Sequence, residues 1–238
     1  PPIAGRTFRN TYEQTKAEAE IALLERAGEL PLTIHRVGIV VGDSRTGWTS
    51  KFDVFYMLMR LLLELEPSAP VVHVPVPGRA LLNAVPNDFT ADALFAIAQR
   101  RMGQSGEILQ YTAGRRATPV RDALELTLAR YRRFLEARGE QPPAEVVLVP
   151  VDDLGPDSLA ESYRDELPAF VLDVIRQLVP YGFDDVVFDN HQLLAALGGT
   201  PLDPPPIARI IGPIVDYPLR TNWGAPHEPR PPLGRLPV

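Results

Sequence analysis

The sequence predicts an α/β fold built on parallel strands, and three observations carry that expectation. Leu32–Gly42 reads LTIHRVGIVVG, a mostly apolar run rich in β-branched residues, as a strand buried on both faces of a parallel sheet reads. A helical stripe (Ala17, Ile21, Leu24) precedes it and a polar, glycine-containing loop follows, so helix, strand and loop succeed one another as in α/β units. Further strand-like and helix-like segments then alternate along the 238 residues.

In order, the first helix starts at Asn10 or Thr11, both good N-caps, with Thr11-x-x-Gln14 reading as a capping box, and stops near Gly28. The strand 32–42 delivers the loop Asp43–Thr49 at its C-terminal end, where ligands bind in open α/β sheets. A helix is expected over Lys51–Leu65, then short strands at Val71–Val76 and Ala80–Val85. Asp88 is placed as the cap of a helix reaching Arg101, and Glu107–Thr112 as a strand. Thr118–Arg138 is a long amphipathic helix with Val120, Leu124, Leu128, Tyr131 and Leu135 on one side. Arg121, Glu125, Arg132 and Glu136 fall largely on the other, a solvated face. Glu145–Val151 reads as a strand, Leu167–Leu178 as a helix and Val186–Phe188 as a short strand, and Asn190 caps a helix ending at Gly198. Pro213 and Pro218 should break Ile207–Arg220 into turns or extended chain. The proline-rich tail from Gly224 is expected to be extended.

Composition excludes several classes. A net charge of −6 is wrong for a general nucleic-acid binder. The absence of cysteine removes disulfides, thiolate catalysis and cysteine-ligated metal, and fits a reducing, cytoplasmic setting. The longest apolar run, Val54–Leu63, is interrupted by Arg60 and is too short to span a bilayer. The chain opens Pro1-Pro2-Ile3 without methionine, which suggests the C-terminal portion of a longer protein.

Tyr12-Glu-Gln-Thr-Lys16 carries the chemistry. Residues four apart on a helix stand on the same face. Of 24 basic residues only Lys16 and Lys51 are lysines, so an arginine-preferring chain has kept an ammonium one turn from a phenol. Such a pair suits proton donation to a carbonyl that is receiving hydride.

Four blocks in order make the chain resemble the extended short-chain dehydrogenase/reductase family. They are Asn10-Thr-Tyr12-x-x-x-Lys16, Arg36-Val-Gly38-Ile-Val-Val-Gly42, Asn83-Ala-Val-Pro86-Asn-Asp88-Phe-Thr-Ala-Asp92, and Gly106-Glu-Ile-Leu-Gln-Tyr-Thr112. The loop Gly42-Asp-Ser-Arg-Thr-Gly47 is most similar to the male-sterility, fatty acyl-CoA reductase and thioester reductase branch. The resemblance implies the C-terminal half of a Rossmann-type doubly wound parallel sheet with a smaller α/β substrate lobe. Residues 1–115 would be the remainder of the NAD(P)-binding domain, with 43–79 inserted towards the lobe. Residues 116–223 would form the lobe and 224–238 a tail.

The same resemblance implies an NADP- or NAD-dependent reductase of an acyl thioester or related small-molecule carbonyl. Tyr12 would be the proton donor and Lys16 its activator, the lysine also binding the nicotinamide ribose. Val37, Gly38, Ile39 and Val40 would approach the nicotinamide, and Asp43, Ser44 and Trp48 would line the substrate mouth. Val37 stands where the family usually has proline. The Gly-rich phosphate turn, the ribose selector and the catalytic serine or threonine upstream of the tyrosine are absent, so the partner expected first is an N-terminal half of the same protein. Alone, the chain is expected to be inactive.

Other polar residues read plainly. Asp88 and Asn190 are expected as helix caps, Asp152-Asp153 and Asp184-Asp185 as solvated turn residues, and His35 as a packed or hydrogen-bonded strand residue. His73, His191 and His227 lack ligand spacing, and no metal is expected. Arg36 fits structural anchoring and substrate-phosphate binding equally. Rival functions are a sugar-nucleotide epimerase or dehydratase, a hydroxysteroid-type dehydrogenase, and a non-catalytic binding module.

Overall fold

A computed structural model describes residues 7–29, 31–64, 70–100, 106–142, 144–151, 161, 164, 176 and 186–224. The expected helix 167–178, the carboxylate pairs 152–153 and 184–185, His227 and the tail beyond Gly224 fall wholly or almost wholly outside them.

Helix α1 spans Thr11–Leu24. Asn10 is its N-cap, the Oδ1 accepting from the Glu13 amide at 2.9 Å, while Glu13 Oε2 accepts from the Arg9 amide at 3.0 Å. The cap is therefore Asn10, and Glu13 reaches back one residue past it to Arg9. Thr11 and Gln14 already lie inside the helix, and Gln14 bonds Glu18 instead. The helix ends at Leu24 and continues as turns to Glu29. Ala17, Ile21 and Leu24 are half-buried, and no residue of α1 is fully buried.

The expected strand 32–42 is two strands, β1 (Thr33–Val37) and β2 (Ile39–Val41), parted at Gly38. It pairs in parallel as expected, with β1 beside β6 (Glu107–Tyr111) and β2 beside β5 (Ala84–Pro86). Successive amides make the exchange of neighbour, Gly38 N–H donating to Tyr111 O at 3.1 Å and Ile39 N–H to Asn83 O at 2.9 Å. A Cβ at position 38 would stand 2.5 Å from Asn83 O, so only glycine allows this crossover. Burial on both faces does not hold, because Val37, Ile39 and Val40 are exposed.

Two further strand pairs lie among the described residues. β3 (Val71–Pro77) runs parallel to β8 (Glu145–Val151), and β4 (Leu81–Leu82) antiparallel to β7 (Thr118–Pro119). Helix α2 is Val54–Glu64, α3 Asn87–Arg100, α4 Val120–Glu136, α5 His191–Ala196 and α6 Ile207–Arg220. The anticipated apolar stripe of α4 faces inward, with Leu128 and Leu135 buried, and its Arg121, Glu125, Arg132 and Glu136 face water. Residues 186–188 form no strand. Side chains take two of their carbonyls instead, Val186 O by Asn83 Nδ2 at 3.5 Å and Phe188 O by Thr112 Oγ1 at 3.2 Å.

The largest departure is α6, a continuous helix through Pro213 and Pro218. Each interior proline costs about 3 kcal/mol of helix stability. Against that, Ile207, Ile210, Ile211, Ile214 and Val215 are all buried, each worth about 1.5–3 kcal/mol. Burial wins, and an Arg130–Asp216 bidentate pair ties α6 to α4.

Two apolar clusters result. One joins α6, α4 and α2 to Val41 and Ala84 at the ends of the parallel strands. The other packs α3 and α5 on β5 and β6 around Phe89, Ile97, Leu109, Tyr111 and Leu193.

Candidate active site

Tyr12 and Lys16 lie on the exposed side of α1, Lys16 Nζ standing 5.7 Å from the centre of the Tyr12 ring. Tyr12 is 66% exposed, so its phenol is open to a ligand. The helix is docked on the sheet by Arg36, whose Nε donates to Glu20 Oε2 at 2.9 Å while Nη2 pairs with Oε1. The hydrogen bond to Glu20 raises the Arg36 pKa against the opposing effect of burial, and the guanidinium is a structural anchor.

Arg36 lies on β1, whose continuation through Gly38 into β2 exposes Val37 (38%), Ile39 (37%) and Val40 (50%).

The loop after β2 is closed on itself. Asp43 N–H donates to Trp48 O at 2.9 Å and Gly47 N–H to Asp43 O at 2.8 Å. Asp43 Oδ1 accepts from the Arg45 and Thr46 amides at 3.0 and 2.8 Å and from Thr46 Oγ1 at 2.9 Å. Burial pushes this carboxyl upward, but the Thr46 and Arg45 hydrogen bonds and the Arg45 charge outweigh it and hold the pKa below the ordinary value. Trp48 is half-buried.

Ser44 is held from outside the loop. Its amide donates to Asp88 Oδ1 at 3.0 Å and its hydroxyl to Asp88 Oδ2 at 2.6 Å. Asp88, expected as a helix cap, lies inside the first turn of α3 and spends its carboxylate on Ser44. Asn87 beside it donates from Nδ2 to Trp48 O at 3.0 Å. Tyr56 of α2 accepts from the Gly42 amide at 2.8 Å, and burial pushes its phenol up to about 12. These three supports escaped sequence reading, although Pro86-Asn87-Asp88 directly after a strand placed two polar residues at the right sheet end.

Asn190 precedes α5 but makes no side-chain cap. Its Nδ2 donates to Thr112 O at 2.7 Å and its amide fills the space beside Gly114, so it fastens the end of β6. His35 shares a 2.7 Å hydrogen bond with buried Tyr111, and burial lowers its pKa, favouring neutral imidazole. His191 bonds Asp189 at 2.7 Å on the surface. Among the described residues no group of three or more His, Asp or Glu could hold a metal, and no helix is long and apolar enough to cross a membrane.

Residues 2–94 match the family described as Male sterility protein. The isonitrile lipopeptide synthase of Streptomyces coeruleorubidus is 38% identical over 85 residues, which is 31% of this chain and 6% of that protein. The terminal R domain of the myxalamid PKS-NRPS biosynthetic pathway superposes with a TM-score of 0.68 at 23% identity, over 94% of this chain and 53% of that one. RMD from Pseudomonas aeruginosa, solved with NADPH, gives 0.52 at 14% identity, over 90% and 58%. The chain thus spans a small fraction of its curated relative and little more than half of each structural neighbour. Residues 2–94 are thus similar to the male sterility protein family, and the chain shares the Rossmann-type α/β fold of its structural neighbours.

Proposed function

We propose that this chain is the catalytic and substrate-binding half of an NAD(P)-dependent reductase acting on an acyl thioester or related carbonyl. The observation that carries the reading is the Tyr12–Lys16 pair on the open face of α1, a helix tied through Glu20 to Arg36 of the strand that goes on to expose Val37, Ile39 and Val40. The likeness to the isonitrile lipopeptide synthase and the family match over residues 2–94 support the same class.

The dinucleotide fits these residues in part. Gly38 lets the chain change strand neighbour just where Val37, Ile39 and Val40 are exposed, and that exposed stretch is where the nicotinamide would lie. Lys16 would hold the ribose. The described residues include no Gly-rich turn opening a helix to take the pyrophosphate, and a nucleotide-binding half preceding this chain would supply it. When bound, the nicotinamide supplies hydride.

The chain's own residues do the rest. Tyr12 Oη donates a proton to the carbonyl oxygen as negative charge gathers there, and Lys16, one turn on, stabilises the phenolate left behind. Ser44 cannot be that donor, since its hydroxyl proton is committed to Asp88. Asp43, Ser44 and Trp48 present the rigid loop against which the substrate docks.

The test is cofactor bookkeeping in the chain joined to its nucleotide-binding half. Net oxidation of NADPH or NADH by acyl thioesters is expected. Cofactor-neutral isomerisation of nucleotide sugars with no thioester turnover would replace this reading with the epimerase one.

A further inference from the structure

We propose that Asp88, with Asn87 beside it, is a positioning residue that clamps the substrate loop to helix α3, an inference that rests on the reductase reading for the loop's role but not for the clamp itself. An acidic residue in a first helical turn commonly serves its own helix by facing the free amides and the positive dipole end. Asp88 instead turns both oxygens outward to Ser44, at 3.0 Å to the amide and 2.6 Å to the hydroxyl. Asn87 grips the far end of the same loop through Trp48 O at 3.0 Å. Consecutive side chains of one helix therefore hold both ends of a loop that starts 44 positions earlier in sequence.

The mechanical circuit is closed. β2 launches the loop, β5 pairs with β2 in parallel, and β5 runs directly into α3, which returns to hold the loop. Any shift of α3 along the sheet moves Ser44 and Trp48 with it. Inside the loop, Asp43 gathers the Arg45 and Thr46 amides, so the segment moves as one piece. Asp88 touches no reacting atom. It acts through Ser44, fixing where a substrate meets the Tyr12 phenol.

Two readouts test the clamp. In the chain itself, Asp88→Ala should speed hydrogen exchange of the Ser44 amide by roughly tenfold or more, the equivalent of one charged hydrogen bond. Tryptic cleavage after Arg45 should accelerate in parallel. Asp88→Asn keeps one acceptor and should fall between, which preserves the test if the alanine variant folds poorly. In the chain joined to its nucleotide-binding half, Asp88→Ala should raise KM for the thioester by roughly tenfold while kcat stays within about twofold, the signature of lost substrate positioning. Unchanged Ser44 exchange would overturn the clamp, and released exchange with unmoved KM would overturn its role in positioning. If wild-type turns over no thioester, the reductase reading fails while the exchange result still decides the clamp.

Discussion

Replacing Gly47 by alanine should destabilise the chain more than any exposed glycine substitution, and three glycines together separate the causes. Gly47 has φ of +75°, and a Cβ there would stand 1.9 Å from Pro213 O and 2.7 Å from Tyr217 Cβ, both on α6. Gly139, just past α4, has φ of +71° with nothing within 4 Å of its would-be Cβ. Gly28 has neither problem. Gly28→Ala should be neutral or stabilise by up to about 1 kcal/mol, by narrowing the unfolded ensemble. Gly139→Ala should cost about 1–2 kcal/mol for the left-handed backbone alone. Gly47→Ala adds an overlap that a backbone carbonyl cannot relieve by rotating, about 1–3 kcal/mol more, for a total of about 2–5 kcal/mol. In a chain of this size each kcal/mol lowers Tm by about 2–4 °C. Urea midpoints of the three variants at constant m provide the measurement. A Gly47→Ala cost no greater than that of Gly139→Ala would show that the loop Asp43–Thr49 is not seated on α6.

Other perturbations follow from the same geometry. The folded Asp43 carboxyl lies below its ordinary 3.8, so its contribution is fully present above that value and is lost as pH falls through the lower folded one. Protection of the Arg45 and Thr46 amides, taken relative to intrinsic exchange at each pH from about 5 downward, should therefore fall only below about pH 4, whereas Asp43→Ala should remove that change in protection. Lys16→Arg keeps the charge but replaces a compact ammonium with a planar fork, and should lower kcat in the joined enzyme by roughly tenfold or more. Equal activity would mean that any cation suffices there. Arg130→Met should loosen α6 from α4 and lower the urea midpoint, with Asp216→Asn alone less damaging because it leaves no uncompensated carboxylate.

What the sequence disclosed is what local chemistry controls. Asn10 could be read as a cap because the bond is made three residues away, and the α4 stripe because burial repeats at the helical period. The Tyr12–Lys16 pair needed only the pitch of a helix. What stayed hidden depends on partners distant in the chain. Arg36 fits phosphate and carboxylate equally until Glu20 is placed opposite it, and Asp88 reads as a cap until folding brings Ser44 to it across 44 positions. Pro213 and Pro218 forbid a helix by local rules, and only the shared burial of five neighbouring aliphatic residues overrides them. The β-branched run 32–42 pairs in parallel as read, but Gly38 divides it between two neighbours and leaves Val37, Ile39 and Val40 exposed.

The most direct measurement is NADPH consumption by the joined enzyme carrying Tyr12→Phe, with cofactor affinity followed separately by fluorescence. Removing one hydroxyl should cut thioester-dependent turnover by about 10²-fold or more, while the dissociation constant for the cofactor stays close to wild-type. Turnover undiminished by the loss of that hydroxyl would mean the proton comes from elsewhere, and the pairing on α1 would be no more than a surface contact.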